Sequence, residues 1–137
     1  MYEIGRQEAQ AIKKIISKGK LFRYLKNSEC EIFEKNYAKY LSIKHTALAS
    51  SGTTALTAAL VGLKIGPGDE VLIPAHTYMA TAMSVLSVGA IPVIIDIDES
   101  LTIDPNALED SCGPRTRAAI AVHMWGTTCN MNAIMKI

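Results

Sequence analysis

Ser50-Ser51-Gly52-Thr53-Thr54-Ala55-Leu56 lies between a short apolar run, Thr46 to Ala49, and a long apolar helical pattern, Ala55 to Leu63. That order predicts a strand feeding a tight turn, and a turn opening a helix. The first backbone N–H groups of such a helix have no intrahelical partner, and the helix dipole favours an anion in front of them. Gly52 lets the backbone approach a guest closely, and Thr53 and Thr54 add hydroxyl donors. The guest that suits this turn is a phosphate. Ser-Gly-Thr is also an ordinary N-cap, in which a hydroxyl satisfies an orphan N–H. Taken alone, the cap is the simpler account; the residues downstream shift the balance.

Working outward, short apolar runs alternate with helical patterns. Strands are expected over Thr46 to Ser50, Val71 to Pro74, Pro92 to Ile97 and Ala118 to Met124. Helices are expected over Thr54 to Leu63, Thr77 to Val88 and Pro105 to Ser111. Gly66-Pro67-Gly68-Asp69 is a turn by composition, and Asp104-Pro105 is an N-cap followed by proline at the first helical position. The strands are apolar throughout rather than alternating, as expected when helices cover both faces of a sheet. The pattern is α/β, in three layers. Before it, Ile4 to Ser17 reads as an amphipathic helix ended by Gly19, and Ser28 with Glu31 forms a capping-box spacing for a helix reaching about Leu41. Residues 1–44 are therefore expected to form a helical segment and 45–137 an incomplete α/β domain. Asn130 to Ile137 begins another helical pattern and leaves the alternation unfinished, which favours the front portion of a larger domain over a small standalone one.

Composition narrows the partners. Of the 137 residues 49% are apolar, enough for a core, and the formal net charge is +1. No basic face points to nucleic acid; the Lys13, Lys14, Lys18, Lys20 and Arg23 cluster suits a solvated helix face. The three cysteines, Cys30, Cys112 and Cys129, have no metal-ligand spacing and read as free thiols of a reducing compartment. Met1 to Gln10 is polar and mixed in charge, unlike a signal peptide, and no apolar run approaches the ~20 residues of a membrane span. A cytoplasmic protein without metal, membrane or nucleic-acid partners is expected.

The chemistry concentrates at strand ends. Pro74-Ala75-His76-Thr77-Tyr78 follows the second expected strand, and open α/β sheets bind ligands beyond the carboxyl ends of their strands. An aromatic face at Tyr78 and a phosphate turn at Ser51 to Thr54 together suit a phosphorylated aromatic cofactor, and pyridoxal 5′-phosphate fits both. Nicotinamide dinucleotides fit less well, because no Gly-x-Gly-x-x-Gly follows any strand; a Walker lysine motif is also absent. Taken alone, Tyr78 reads more simply as an amphipathic side chain packed at the sheet rim. His123 reads as a satisfied histidine at a strand end, and Asp96 and Asp98 as residues that terminate a strand.

The succession Ala49 to Leu56, Gly66 to Val71, Pro74 to Tyr78, then Gly89-Ala90-Ile91-Pro92-Val93 with Asp96-Ile97-Asp98, resembles the DegT/DnrJ/EryC1/StrS sugar aminotransferases. Pro114 to Ala118 and Val122-His123-Met124-Trp125-Gly126 continue it, and Leu21-Phe22-Arg23-Tyr24 is similar to a subgroup. The resemblance covers nearly the whole chain but only the N-terminal part of a full-length member. It implies the large domain of the aspartate aminotransferase-like, fold type I pyridoxal-phosphate enzymes. It also implies amino transfer from glutamate or glutamine to a keto-sugar, often nucleotide-linked, by a homodimer. By the same resemblance Gly52, Thr53 and Thr54 hold the cofactor phosphate and Tyr78 stacks on its ring.

Two departures qualify it. Asn130-Met131-Asn132 stands where the family usually has Asp-Met-Asp. More important, transamination needs a lysine that joins the cofactor and an acid beside the pyridine nitrogen. The family places both beyond residue 137, no Ser-x-x-x-Lys or Ser-x-x-His-Lys occurs, and Lys64 precedes a turn. The chain alone is therefore expected to be inactive, with the rest of the enzyme, or a separate C-terminal half, supplying the lysine. A non-catalytic binding or assembly protein on this fold and a sugar dehydratase of the same family are the alternatives.

Overall fold

A computed structural model describes residues 4–137; Met1–Glu3, the start of the polar N-terminal stretch, lie outside the described residues. The chain divides between Leu48 and Ala49 into two compact units.

The first unit holds two helices, α1 (Arg6–Lys18) and α2 (Glu29–Tyr40). Glu8 reaches back to the Gly5 amide at 2.7 Å to open α1, and Gly19, at φ 65°, closes it with its N–H on the Ile16 carbonyl. Ser28 caps α2, its Oγ accepting from the Glu31 amide, but the capping box is only half made: the Glu31 carboxylate accepts from the Asn27 amide, because the Ser28 amide already donates to the Leu25 carbonyl. The Lys35 ammonium, then the Asn27 amide, hold the Glu31 carboxyl below its ordinary range.

The expected strand over Thr46 to Ser50 is not formed. Its first part is tied instead to Glu34 of α2. The Leu48 amide donates to the Glu34 carboxylate at 2.7 Å, and the Thr46 hydroxyl donates to the Glu34 carbonyl at 2.6 Å. Arg23 adds two donors to the same carboxylate oxygen. The Leu48 amide, then Arg23, hold the Glu34 carboxyl low. A strand needs a neighbour with free ladder groups, and among the described residues no strand pairs with this segment.

The second unit is the α/β pattern itself. In chain order it comprises α3 (Gly52–Gly62), β1 (Glu70–Pro74), α4 (Ala80–Ser87), β2 (Ile91–Ile95), α5 (Pro105–Asp110), β3 (Thr116–Ala119), a 3₁₀ turn (Met124–Gly126) and α6 (Met131–Ile134). The described residues form a three-stranded parallel sheet in the order β2-β1-β3. Alternate residues of β1 serve two cores. Val71 and Ile73 pack with Leu60, Ile65, Val85 and Ala90 of the α3/α4 side. Leu72 packs with Ile95, Ile103, Leu108 and Cys129 on the α5/α6 side. This is the three-layer arrangement that the unalternating strands predict.

Two elements differ in extent from expectation. β3 stops at Ala119 rather than Met124. The Ile120 amide still reaches the Leu72 carbonyl, but the next donor of the ladder belongs to Pro74, which has no N–H. α4 begins at Ala80 rather than Thr77. The Ala75 amide is still engaged with the Ile95 carbonyl, so Thr77 to Met79 make the turn between sheet and helix. Among the described residues no helix is long and apolar enough to cross a membrane.

The α4–β2 connection depends on Gly89, whose φ is 77°. A Cβ there would stand 3.1 Å from the Pro67 ring of the Gly66–Asp69 turn. Gly89→Ala should therefore cost about 1–2 kcal/mol of stability from backbone strain alone, read as a lower thermal midpoint. Gly66→Ala, where a Cβ meets only the Val88 carbonyl at 3.8 Å, should leave the midpoint nearly unchanged.

Candidate functional site

All three strands run parallel, so their carboxyl ends share one edge. There the N-terminus of α3, the Thr77–Thr81 turn after β1 and the segment after β3 surround an open cleft of about 630 Å³. Its walls are Gly52, Thr53, Ala55 and Leu56 from α3, Thr77, Tyr78, Ala80 and Thr81 from the turn into α4, and Val122 and Met124 beyond β3. The volume falls in the range of small-molecule sites, and the apolar walls with a few polar groups match their usual make-up.

The polar groups come from the turn that opens α3. Ser51 is the N-cap, and its Oγ accepts from the Thr54 amide at 3.1 Å. The Thr54 hydroxyl lies 3.0 Å from the Ser51 hydroxyl and 3.3 Å from that of Ser50. Thr54 is thus consumed by the cap. The amides of Gly52 and Thr53 and the hydroxyl of Thr53 make no hydrogen bond among the described residues. These three donors sit at the positive end of an 11-residue helix. A Cβ on Gly52 would meet nothing within 4 Å, so the turn is open beside Gly52.

Tyr78 lines the same cleft and is 77% exposed. Below it the Thr77 and Thr81 hydroxyls are 2.7 Å apart, and the Thr81 amide donates to the Tyr78 carbonyl. Of the four residues singled out from sequence, Gly52, Thr53 and Tyr78 line one cavity, and Thr54 braces the turn behind it. Thr77, Val122 and Met124 also line it and were not singled out. Their signal was position: each follows the carboxyl end of a strand.

The remaining candidates have structural roles. His123 Nδ1 accepts from the Cys129 amide at 3.1 Å, a satisfied histidine as its place at a strand end suggests. The Asp98 carboxylate accepts from the hydroxyl and amide of Ser100, which hold its carboxyl below the usual range. It therefore serves its own turn. Among the described residues no group of His, Cys, Asp or Glu is placed to hold a metal ion, and the three cysteines are free thiols.

A parallel sheet whose central strand is covered on both faces, with a donor-lined helix terminus and an aromatic at its carboxyl edge, defines an α/β scaffold of the aminotransferase kind. The chain belongs to the DegT/DnrJ/EryC1/StrS aminotransferase family, whose profile matches residues 2–137. It is 41% identical over 138 residues to the dTDP-3-amino-3,4,6-trideoxy-alpha-D-glucose transaminase of Streptomyces venezuelae, covering 99% of this chain and 36% of that protein. It is 45% identical over 106 residues to the GDP-perosamine synthase of Caulobacter vibrioides, covering 77% and 29%. The structure of NtdA from Bacillus subtilis with bound cofactor PMP superposes with a TM-score of 0.85 at 32% identity, over 97% of this chain and 31% of that one. The chain thus spans about a third of the length of the relatives it matches.

The cap governs the shape of the donor turn. Ser51→Ala should free the Thr54 amide and destabilise α3 by about 1 kcal/mol, measured as faster amide exchange at Thr54 and a lower thermal midpoint.

Proposed function

We propose that these residues form the phosphate- and ring-binding part of a pyridoxal 5′-phosphate-dependent aminotransferase acting on a keto-sugar. The carrying observation is the convergence, in one cleft, of three uncommitted donors from Gly52 and Thr53 with the exposed ring of Tyr78. The donors fit a phosphate, the ring fits a planar heterocycle, and the volume accommodates both. The relatives' names support a nucleotide-linked sugar as acceptor: one names a dTDP-sugar and another a GDP-linked product. Glutamate or glutamine is the proposed amino donor, and a homodimer the proposed assembly.

In this reading the Gly52 and Thr53 amides and the Thr53 hydroxyl donate to the phosphate, drawn there by the dipole of α3. Ser51 and Thr54 keep the turn in the shape that leaves those amides free. Tyr78 offers its ring face to the cofactor ring, and Leu56, Val122 and Met124 exclude water from the apolar side. The bound cofactor supplies an electron sink for the carbon that gains or loses the amino group. A lysine is also needed to hold it covalently and move the proton. Lys64 sits past the far end of α3, whose last residue, Gly62, is already about 15 Å along the helix from Gly52, and Lys136 follows α6. We infer that the lysine, and the acid for the pyridine nitrogen, come from sequence outside these 137 residues. The 137-residue polypeptide is then inactive by itself.

Gly52→Asp separates folding from binding in the full-length protein. A carboxylate in the first turn suits the helix dipole, so the thermal midpoint should hold or rise. Affinity for pyridoxal 5′-phosphate should fall at least about tenfold through repulsion of its phosphate, while affinity for phosphate-free pyridoxal should change little. An equal loss for both ligands would remove the phosphate from this turn. A second check uses the isolated 137-residue polypeptide, incubated with pyridoxal 5′-phosphate and reduced with borohydride. Its intact mass should gain no cofactor at a single defined lysine; stoichiometric labelling of one site would overturn its inactivity.

A further inference from the structure

Tyr78 is on a short turn, and one side chain ties that turn sideways to the rest of the sheet edge. His76 Nδ1 lies 3.1 Å from the carbonyl oxygen of Leu101. A carbonyl oxygen only accepts, so Nδ1 carries the proton and donates. The neutral ring is therefore the Nδ1–H tautomer, with its lone pair on Nε2.

Leu101 is a firm partner. It stands at the tip of a tight hairpin closed by the antiparallel bridge between Ile97 and Ile103. The Asp98 amide donates to the Thr102 carbonyl at 3.1 Å, and the Leu101 amide donates to the Asp98 carbonyl at 3.0 Å. The Ser100 amide and hydroxyl both reach the Asp98 carboxylate. Ile103 and Thr102 are buried beneath the tip. Leu101 itself is held at φ 62°, a left-handed conformation that is unfavourable for a leucine and persists only where its surroundings enforce it.

The turn that carries Tyr78 has a fixed point at each end. Upstream, the Ala75 amide is bound to the Ile95 carbonyl; downstream, the Thr81 amide is bound to the Tyr78 carbonyl. Between them His76 makes the side-chain contact to the hairpin. We propose that His76 is a positioning residue: by donating from Nδ1 to the Leu101 carbonyl, it fixes the turn that aims the Tyr78 ring into the cleft. As a role in cofactor placement this rests on the proposed function; as a tether it rests on the hydrogen bond alone.

Asparagine and glutamine separate this contact from mere bulk. The amide nitrogen of asparagine is as many bonds from Cα as Nδ1, while that of glutamine is one bond further, as Nε2 is. In the full-length protein without cofactor, His76→Gln should speed exchange of the Ala75 and Thr81 amides, the bonded donors at the two ends of the turn, about fivefold, the loss of one ordinary net hydrogen bond. His76→Asn should match wild type. On titration with pyridoxal 5′-phosphate, His76→Gln should weaken binding by a similar factor and reduce the circular dichroism of the bound cofactor, with His76→Asn again restoring both.

Equal exchange in all three proteins, or equal impairment of both variants, overturns the tether. Faster exchange in His76→Gln with unchanged affinity and dichroism overturns the positioning of Tyr78. If wild type takes up no pyridoxal 5′-phosphate, the proposed function and the cofactor role fail together, and the exchange measurement still decides the tether.

Discussion

Strand β1 turns neither face to water. Val71 and Leu72 are fully buried and point in opposite directions, and Ile73 and Pro74 are nearly so. A strand buried on both sides must be flanked by strands in the plane of the sheet and by helices above and below it. β2 and β3 supply the first, α3 with α4 one cover, and α5 with α6 the other. Because each strand returns in the same direction through a helix, the carboxyl ends are forced onto one edge. The turns at that edge are left free of the packing that fixes the strands. The cleft opens there because the buried residues of β1 keep helices and strands on every other side of it.

At that edge, two demands compete for the same turn. The orphan amides at the start of α3 need partners, and a ligand site needs some of them left vacant. The chain divides the amides by residue. Ser51 takes the Thr54 amide and, with Ser50, the Thr54 hydroxyl. The two amides ahead of it stay open, and a Cβ at the first of them would meet nothing within 4 Å. The two readings of Ser-Gly-Thr in the sequence, a cap or an anion turn, are therefore compatible: Ser51 and Thr54 make the cap, and the cap shapes the opening.

Much of this was legible before the structure. The strand cores at 71–74 and 92–95 show as unbroken apolar runs, and the caps at Ser28, Ser51 and Asp104 show as small polar residues before helical patterns. Periodicity failed where pairing or a local bond decided the backbone. Thr46 to Leu48 has a strand's composition, but Glu34 takes its groups. The run Ala118 to Met124 is apolar to its end, yet the ladder stops because Pro74, on another strand, cannot donate. That proline was visible in the sequence; its partner was not. Tyr78 and the α3 turn could be matched as two strand-end features, but that they share one cleft depends on sheet order. The part played by Val122 and Met124 depends on it too.

The two halves of the cleft are held by different means. The donors of Gly52 and Thr53 belong to the backbone of a helix and to a short side chain, so their directions follow from α3 itself. The Tyr78 ring projects into an open cleft on a turn outside any helix or strand, and its large exposed surface gains nothing from packing. Two rotatable bonds and a mobile turn would spread its orientation, and a stacking surface is effective only when its plane is set beforehand. The bonds that set the backbone beneath it are Ala75 to β2, Thr81 to the Tyr78 carbonyl, Thr77 to Thr81, and His76 to the Leu101 carbonyl. Three of these stay within the path from β1 through the turn to α4 or its neighbouring strand. The fourth crosses to a hairpin 25 residues away in sequence, and it is the one that resists rotation of the turn about its own ends.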